Sequence, residues 1–206
     1  KILAGWYGLS EVDDYLPTKP LPVKQKVRPV VTEVVSQAAK DNLLRNHQQI
    51  LGLLKEYIPE DEQLRTTYRA FEVGVAPSSL PYDYKSFCDR LIFPIRNERG
   101  ELVAFAGRYQ GETKGTDIRK YLNSPTSPIY HKSEILYGLY QAQEAIRQHK
   151  FVYITEGYKD VLAMHAAGFR NTVALCGTAL TEQHVALLSR YTRYAIVMLD
   201  GDDAGQ

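Results

Sequence analysis

Two sets of carboxylates in the last quarter of the chain have the types and spacing for chemistry. Glu156 opens Glu-Gly-Tyr-Lys-Asp160, and Asp200-Gly-Asp-Asp203 follows later. Each set directly follows a short apolar run, Phe151–Thr155 or Tyr194–Leu199, and a third run, Thr172–Leu175, lies between them. All three runs are β-rich, of strand length and bounded by glycine or polar residues, so they read as strands. Neighbouring strands lie about 5 Å apart, so carboxylates at adjacent strand ends face one another. Such a cluster is unfavourable until a cation neutralises it. Oxygen ligands plus substrate phosphate suit a hard ion such as Mg²⁺. Asp-Gly-Asp-Asp alone would equally fit a solvated acidic strand end. A second acidic strand end, with Glu156 and Asp160, makes a metal centre the better reading, formed by Glu156, Asp160, Asp200 and Asp202.

Two helices must connect these strands. Val161, Leu162, His165 and Ala166 share one helical face, and Gly168 stands where a helix C-terminus favours it. Val185, Leu187 and Leu188 form the apolar face of the second helix, which Thr181 caps and whose positive end suits Glu182. Strands alternating with helices predict a parallel sheet with right-handed crossovers. Sites in such sheets lie beyond the carboxyl ends of the strands, where Glu156 and the aspartates fall. Asp160 follows Glu156 by one helical turn, on the same side.

The 206 residues are 44% hydrophobic and 24% charged, which suits one large globular domain or two small ones. No run of about 18 apolar residues is present, so no membrane span is expected, and no signal-peptide pattern opens the sequence. Cys88 and Cys176 are far apart and no zinc-ligand spacing occurs, which fits a reduced, cytoplasmic setting. The net charge of +1 hides a division. Residues 84–150 carry 11 Lys and Arg against 7 Asp and Glu, and residues 151–206 carry 4 against 6. A basic module beside an acidic one suits a phosphate-backbone ligand.

Upstream, Lys1–Leu16 gives no clear element, and Pro17–Pro29, with four prolines and four basic residues, reads as an extended linker. Thr32–Tyr57 carries a helical apolar stripe, as one helix or as two broken near Asn46, with His47 at or near the surface. Glu62–Phe71 forms a further short helix. Leu91–Arg96 and Glu101–Tyr109 alternate apolar and polar residues around Asn-Glu-Arg-Gly, which predicts a β-hairpin with one solvated face. Lys120–Lys132, polar with two prolines, reads as a structured surface loop, and loops of that length are uncommon without a task. Ser133 is placed to cap a helix running to about Gln148, with Leu136, Leu139, Tyr140 and Ile146 on its buried side.

The wording EGYKDV, then CGTALTEQH, then DGDDAG resembles the TOPRIM domain and, within it, the bacterial DnaG-type DNA primases. RLIFPIRNERGELVAFAGR, the FEVGVAP segment, and KYLNSP followed by YHK resemble the same family's basic module. The resemblance covers residues 68–206 well and 30–67 loosely, and none is seen for 1–29. The family usually has Gly-Gly-Arg where this chain has Ala106-Gly107-Arg108.

The resemblance implies an α+β fold: a helical and β-hairpin module packed on a TOPRIM-like parallel-sheet module. The divisions it suggests are 1–29 (N-terminal segment and linker), 30–150 (helical and basic β module) and 151–206 (an incomplete TOPRIM module). It implies synthesis of short RNA primers on single-stranded DNA by metal-dependent nucleotidyl transfer. Glu156, Asp200 and Asp202 would be catalytic, holding Mg²⁺ or Mn²⁺ with Asp160 as a further ligand. Arg90, Arg108, Lys120, Tyr121, Asn123 and Lys132 would meet nucleotide or nucleic acid. The partners would be single-stranded DNA, ribonucleoside triphosphates and a replicative helicase, with no membrane. The helix over Ser133–Gln148 and the strand after it would return Glu156 to the neighbourhood of Lys132, with a groove between the two modules. A full TOPRIM sheet continues beyond the aspartates, and a zinc-binding domain precedes the core in the family, so a longer protein is expected. A non-catalytic, primase-derived nucleic-acid-binding module is the alternative, as is another TOPRIM enzyme such as a nuclease. A topoisomerase would need a tyrosine on a separate domain, and an Asp-x-Asp phosphatase would leave Glu156 unexplained.

Overall fold

The computed structural model describes residues 35–198. Asp200, Asp202 and Asp203, and the expectations made for Lys1–Leu16 and Pro17–Pro29, lie outside the described residues. An α+β architecture with two sheets is seen, as the family resemblance implied. The chain runs α1 (Gln37–Leu53), β1 (Lys55–Glu56), α2 (Glu62–Ala70), β2 (Gly74–Val75), a 3₁₀ segment (Tyr82–Phe87), β3 (Arg90–Arg96), β4 (Leu102–Tyr109) and β5 (Tyr121–Asn123). It continues with β6 (Leu136–Tyr137), α3 (Leu139–His149), β7 (Val152–Thr155), α4 (Tyr158–Ala166), β8 (Thr172–Leu175), α5 (Glu182–Leu188) and β9 (Ala195–Val197).

The first sheet is antiparallel in the order β1-β2-β3-β4-β5. Its central hairpin departs from the alternation expected of it. Leu91 to Ile95 and Leu102 to Gly107 are buried without interruption. The reason is that both faces are covered. Leu91, Phe93, Ile95 and Val103 pack towards Tyr68, Phe71 and the α4 residues Tyr158, Val161 and Leu162. Ile92, Leu102 and Phe105 pack towards Ile50 and Phe87 on the other face. A strand covered on both sides needs apolar residues at both parities, as in buried sheets generally. Ala106 pairs regularly with Phe93 and Asn123, so the Ala-Gly-Arg wording leaves the β4 backbone undistorted.

The second sheet has the order β6-β8-β7-β9, with β7, β8 and β9 parallel. The three strands expected from the sequence are all present, and Thr181 caps α5 by accepting the His184 backbone N–H. Its fourth strand corrects an expectation. Leu136–Tyr137 is not part of a helix begun at Ser133 but pairs antiparallel with β8. The helix starts instead at Leu139, after Gly138 at φ +82°. A Cβ on Gly138 would lie 3.0 Å from Val161 Cγ1, so a side chain there would be strained and crowded at once. Tyr140, expected inside, is exposed.

Three further differences have simple causes. Helix α1 runs unbroken through Asn46 from its Ser36 cap, since asparagine weakens a helix without ending it. His47 on that helix is buried, with Nδ1 2.9 Å from the Leu102 carbonyl. On α5, Leu187 and Leu188 are buried as expected, but Val185 is half exposed while His184 is fully buried, so histidine takes the inward place that the apolar pattern gave to valine.

His47, His165 and His184 are all buried, and burial lowers each imidazole below its ordinary 6.5. In the unfolded chain they take up protons from about pH 6.5 downward, while the folded protein resists. The stability they confer is therefore present above pH 6.5 and lost as pH falls below it towards the lowered native values. Each contributes up to about 1.4 kcal/mol per pH unit in that window. Urea midpoints measured from pH 7.5 to 5 should fall steadily, and the double variant H47Q/H165Q should show a shallower fall.

Candidate active site

The β7–α4 turn carries Glu156 and Asp160, the described members of the acidic cluster expected from the sequence. β7 lies between β8 and β9, in register Thr155↔Ala174 on one side and Ile154↔Val197 on the other. All three strands run the same way, so their carboxyl ends share one edge. Glu156 follows β7 on that edge and is half-buried. Asp160 sits in the first turn of α4, where the helix dipole favours a negative charge. Its carboxylate folds back over the backbone: a Cβ on Gly157 would stand 2.3 Å from Asp160 Oδ2. Glycine at 157 is thus what lets this carboxylate lie against the turn. Carboxylate oxygens are donors that a hard divalent ion accepts, so Glu156 and Asp160 fit such a group. Among the described residues alone, no three His, Cys, Asp or Glu side chains converge on one point.

Between the two carboxylates stands Tyr158, which anchors the turn. It is buried, stacks on Phe93 with centroids 5.4 Å apart, and meets Tyr137 edge-on at 4.9 Å. Its hydroxyl donates to Asn123 Oδ1 at 2.8 Å. The Asn123 amide in turn donates to the Cys176 carbonyl at 3.0 Å. Asn123 therefore links the last residue of β5 to the carboxyl ends of β7 and β8. One N–H and the oxygen of its amide are thus engaged within the protein, on a residue expected to meet a nucleotide.

The other basic-module residues divide. Arg90 is buried; its Nε donates to the Ser86 carbonyl and Nη1 to that of Arg119, and its guanidinium lies over Tyr109. It holds the start of β3 to the chain before Lys120, where a phosphate-holding arginine was expected. Arg108 is half-buried with its guanidinium over the Tyr121 ring, and its Nε has no hydrogen-bond partner among the described residues. Lys120 and Tyr121 are exposed at the start of β5, which is a paired strand rather than the loop expected.

Lys132 is half-buried. Burial pushes the neighbouring Cys176 thiol up to about 11, and the Lys132 charge is among the weaker influences pulling it down. Lys132 thus stands near the carboxyl end of β8, because β6, four residues on, runs antiparallel to that strand with Leu136 opposite Leu175; β8 is the strand beside the one that ends at Glu156. The helix expected to bring the chain back was 16 residues long; the actual helix, α3, has 11. The intervening β6 strand makes up the path.

Four residues of this region were not singled out from the sequence for these roles: Tyr158, Cys176, Thr181 as a side-chain donor, and His184. Only the last pair left a readable signal. Thr181-x-x-His184 has the spacing of a capping box with histidine in place of Glu or Gln.

Comparison with known proteins agrees with this arrangement. The family model for the N-terminal domain of the DNA primase catalytic core matches residues 66–143, and that for the Toprim domain matches residues 150–206. The chain is 49% identical over 122 residues to the DNA primase of Halalkalibacterium halodurans, covering 59% of this chain and 20% of that protein. It is 45% identical over 123 residues to the DNA primase of Pseudomonas aeruginosa, covering 60% and 18%. The chain thus spans a small part of the length of these relatives. Among solved structures, the zinc-binding and RNA polymerase domains of Aquifex aeolicus primase match with a TM-score of 0.70 at 27% identity, over 99% of this chain and 54% of that one. A DnaG primase catalytic domain bound to single-stranded DNA matches with a TM-score of 0.66 at 29% identity, over 82% and 64%. Primase-core wording that passes directly into Toprim wording, on a fold that matches solved primase cores, has one reading: this chain belongs to the family of bacterial DnaG-type DNA primases.

Proposed function

We propose that this chain is the polymerising core of a primase, which joins ribonucleotides into short primers on single-stranded DNA. The observation that carries the reading is the placement of opposite charges at one sheet edge. Lys132 stands near the carboxyl end of β8, next to the strand that ends in Glu156 and the turn that holds Asp160. A triphosphate and the end of a growing primer need both kinds of group within reach.

Lys120 and Lys132 would hold phosphates as point charges, and Arg108 would do so with the free side of its guanidinium. Tyr121, exposed and backed by Arg108, offers a face on which a base could stack. Arg90 and Asn123 would act one step back, fixing β3 and β5 so that these groups keep their places. Glu156, Asp160, Asp200 and Asp202 would hold Mg²⁺ or Mn²⁺. The Toprim primases are a metal-dependent family; the bound ion would activate the primer 3′-hydroxyl and neutralise triphosphate charge. Primer synthesis on single-stranded DNA would place the protein in the cytoplasm, in contact with a replicative helicase.

The metal reading is tested by titrating the protein with Mn²⁺ and following the free ion by electron paramagnetic resonance. Wild type should take up the ion, and E156Q should bind it at least about tenfold more weakly, since loss even of a residue supporting a metal ligand costs that much. Equal uptake by both proteins, or none at roughly millimolar Mn²⁺, sinks the assignment.

The phosphate reading is tested by the salt dependence of oligo-dT binding. Each lysine that contacts a phosphate contributes about 0.7 to the slope of log affinity against log salt on a single strand. K120A and K132A should each flatten the slope by about that amount. A slope unchanged in both would show that these lysines are merely solvated.

A further inference from the structure

We propose that His184 is a positioning residue for Lys132: from inside the protein, it fixes the turn that places the lysine at the carboxyl edge of the parallel sheet. The inference rests on the reading of Lys132 as a phosphate-binding residue.

Lys132 lies in a tight turn. The Glu134 N–H donates to the His131 carbonyl at 3.0 Å, so Lys132 and Ser133 are the two central residues. The turn's own hydrogen bond leaves their carbonyls unused, and both are taken by the start of α5. His184 Nε2 lies 2.9 Å from the Lys132 carbonyl, and Thr181 Oγ1 donates to the Ser133 carbonyl at 2.6 Å. The remaining histidine nitrogen, Nδ1, accepts the Thr181 backbone N–H at 3.3 Å. An acceptor at Nδ1 fixes the neutral tautomer with its proton on Nε2, so that nitrogen is the donor to Lys132.

A capping box needs only the acceptor. Glu or Gln at this position normally reaches back to the cap N–H, and nothing in capping calls for a second group aimed away from the helix. The histidine supplies both functions from one rigid ring that is fully buried. Between the end of β5 and the start of β6, Tyr130 anchors the loop in the core and these two carbonyls hold the turn that follows. A lysine stem has four rotatable carbons, and it keeps a direction only if its own backbone does.

Four variants of the full chain separate positioning from mere support: K132A, H184N, H184Q and K132A/H184N. Asparagine can keep the acceptor for Thr181 but is too short to reach the Lys132 carbonyl. Glutamine can offer an acceptor and a donor together. Measured by oligo-dT anisotropy across a salt series, H184N should flatten the slope as K132A does, by about 0.7. H184Q should stay near wild type. The double variant should bind no more weakly than K132A alone, since the two residues act on one contact. The proposal is overturned if H184N unfolds at a lower temperature with the slope intact, or if its loss multiplies with that of K132A. A flat response to K132A itself would instead remove the reading of Lys132, and this inference with it.

Discussion

Tyr158 holds the molecule's two sheets in one relation. It belongs to the parallel-sheet half by sequence, at the first turn of α4, yet its ring is stacked on Phe93 of the antiparallel hairpin. Burying an aromatic side chain of this size is worth about 1.5–3 kcal/mol, and its hydroxyl would cost further free energy if left unpaired. Asn123 removes that cost and adds the link to Cys176. Glu156 and Asp160 flank this ring by two residues on either side, so the acidic turn cannot shift without moving the core. A site that must place charges to within a fraction of an ångström gains from standing on a packed element rather than on a free loop.

The antiparallel hairpin follows from the same constraint. It separates two clusters of side chains, with α1 and the 3₁₀ segment on one face and α2 with α4 on the other. Its residues therefore had to be apolar at both parities. Arg90 escapes this only because two backbone carbonyls take up its N–H groups, as buried charge requires.

Much of the parallel sheet was legible. Thr172–Leu175 was read to the residue, β7 to within one, and the Thr181 cap as it stands, because strand-length apolar runs and cap residues are local signals. What was not legible depends on distant partners. Leu136–Tyr137 has apolar residues that serve a helix or a strand equally well, and only β8 decides between them. Tyr121–Asn123 looks like loop until β4 pairs with it. At the site, residue types and spacing pointed to Glu156 and Asp160 as candidate acidic ligands, and the family resemblance pointed to Lys132 as a phosphate-binding cation. Sequence could not show that the Arg90 and Asn123 side chains are used internally, since among their partners Arg119 lies 29 residues from Arg90 and Cys176 lies 53 from Asn123. His184 was hidden for a related reason: the apolar Val185 beside it drew the helix face one position aside.

The stacking of Phe93 on Tyr158 also sets an order of events during synthesis. The hairpin leaves the ribosome before α4, with one face, including Phe93, Leu91 and Val103, whose cover is begun by Tyr68 and Phe71 and completed only by residues still to come. About 65 residues separate Phe93 from Tyr158, and at roughly 5–20 residues per second the wait lasts several seconds. Hairpins close in about 1–10 μs, so the strands pair long before their cover arrives. The nascent chain thus carries a paired but half-naked sheet, of the kind that chaperones engage and that neighbouring chains can join. For this protein the interval between the two halves of its core, rather than the stability of either, is the exposed moment in its life.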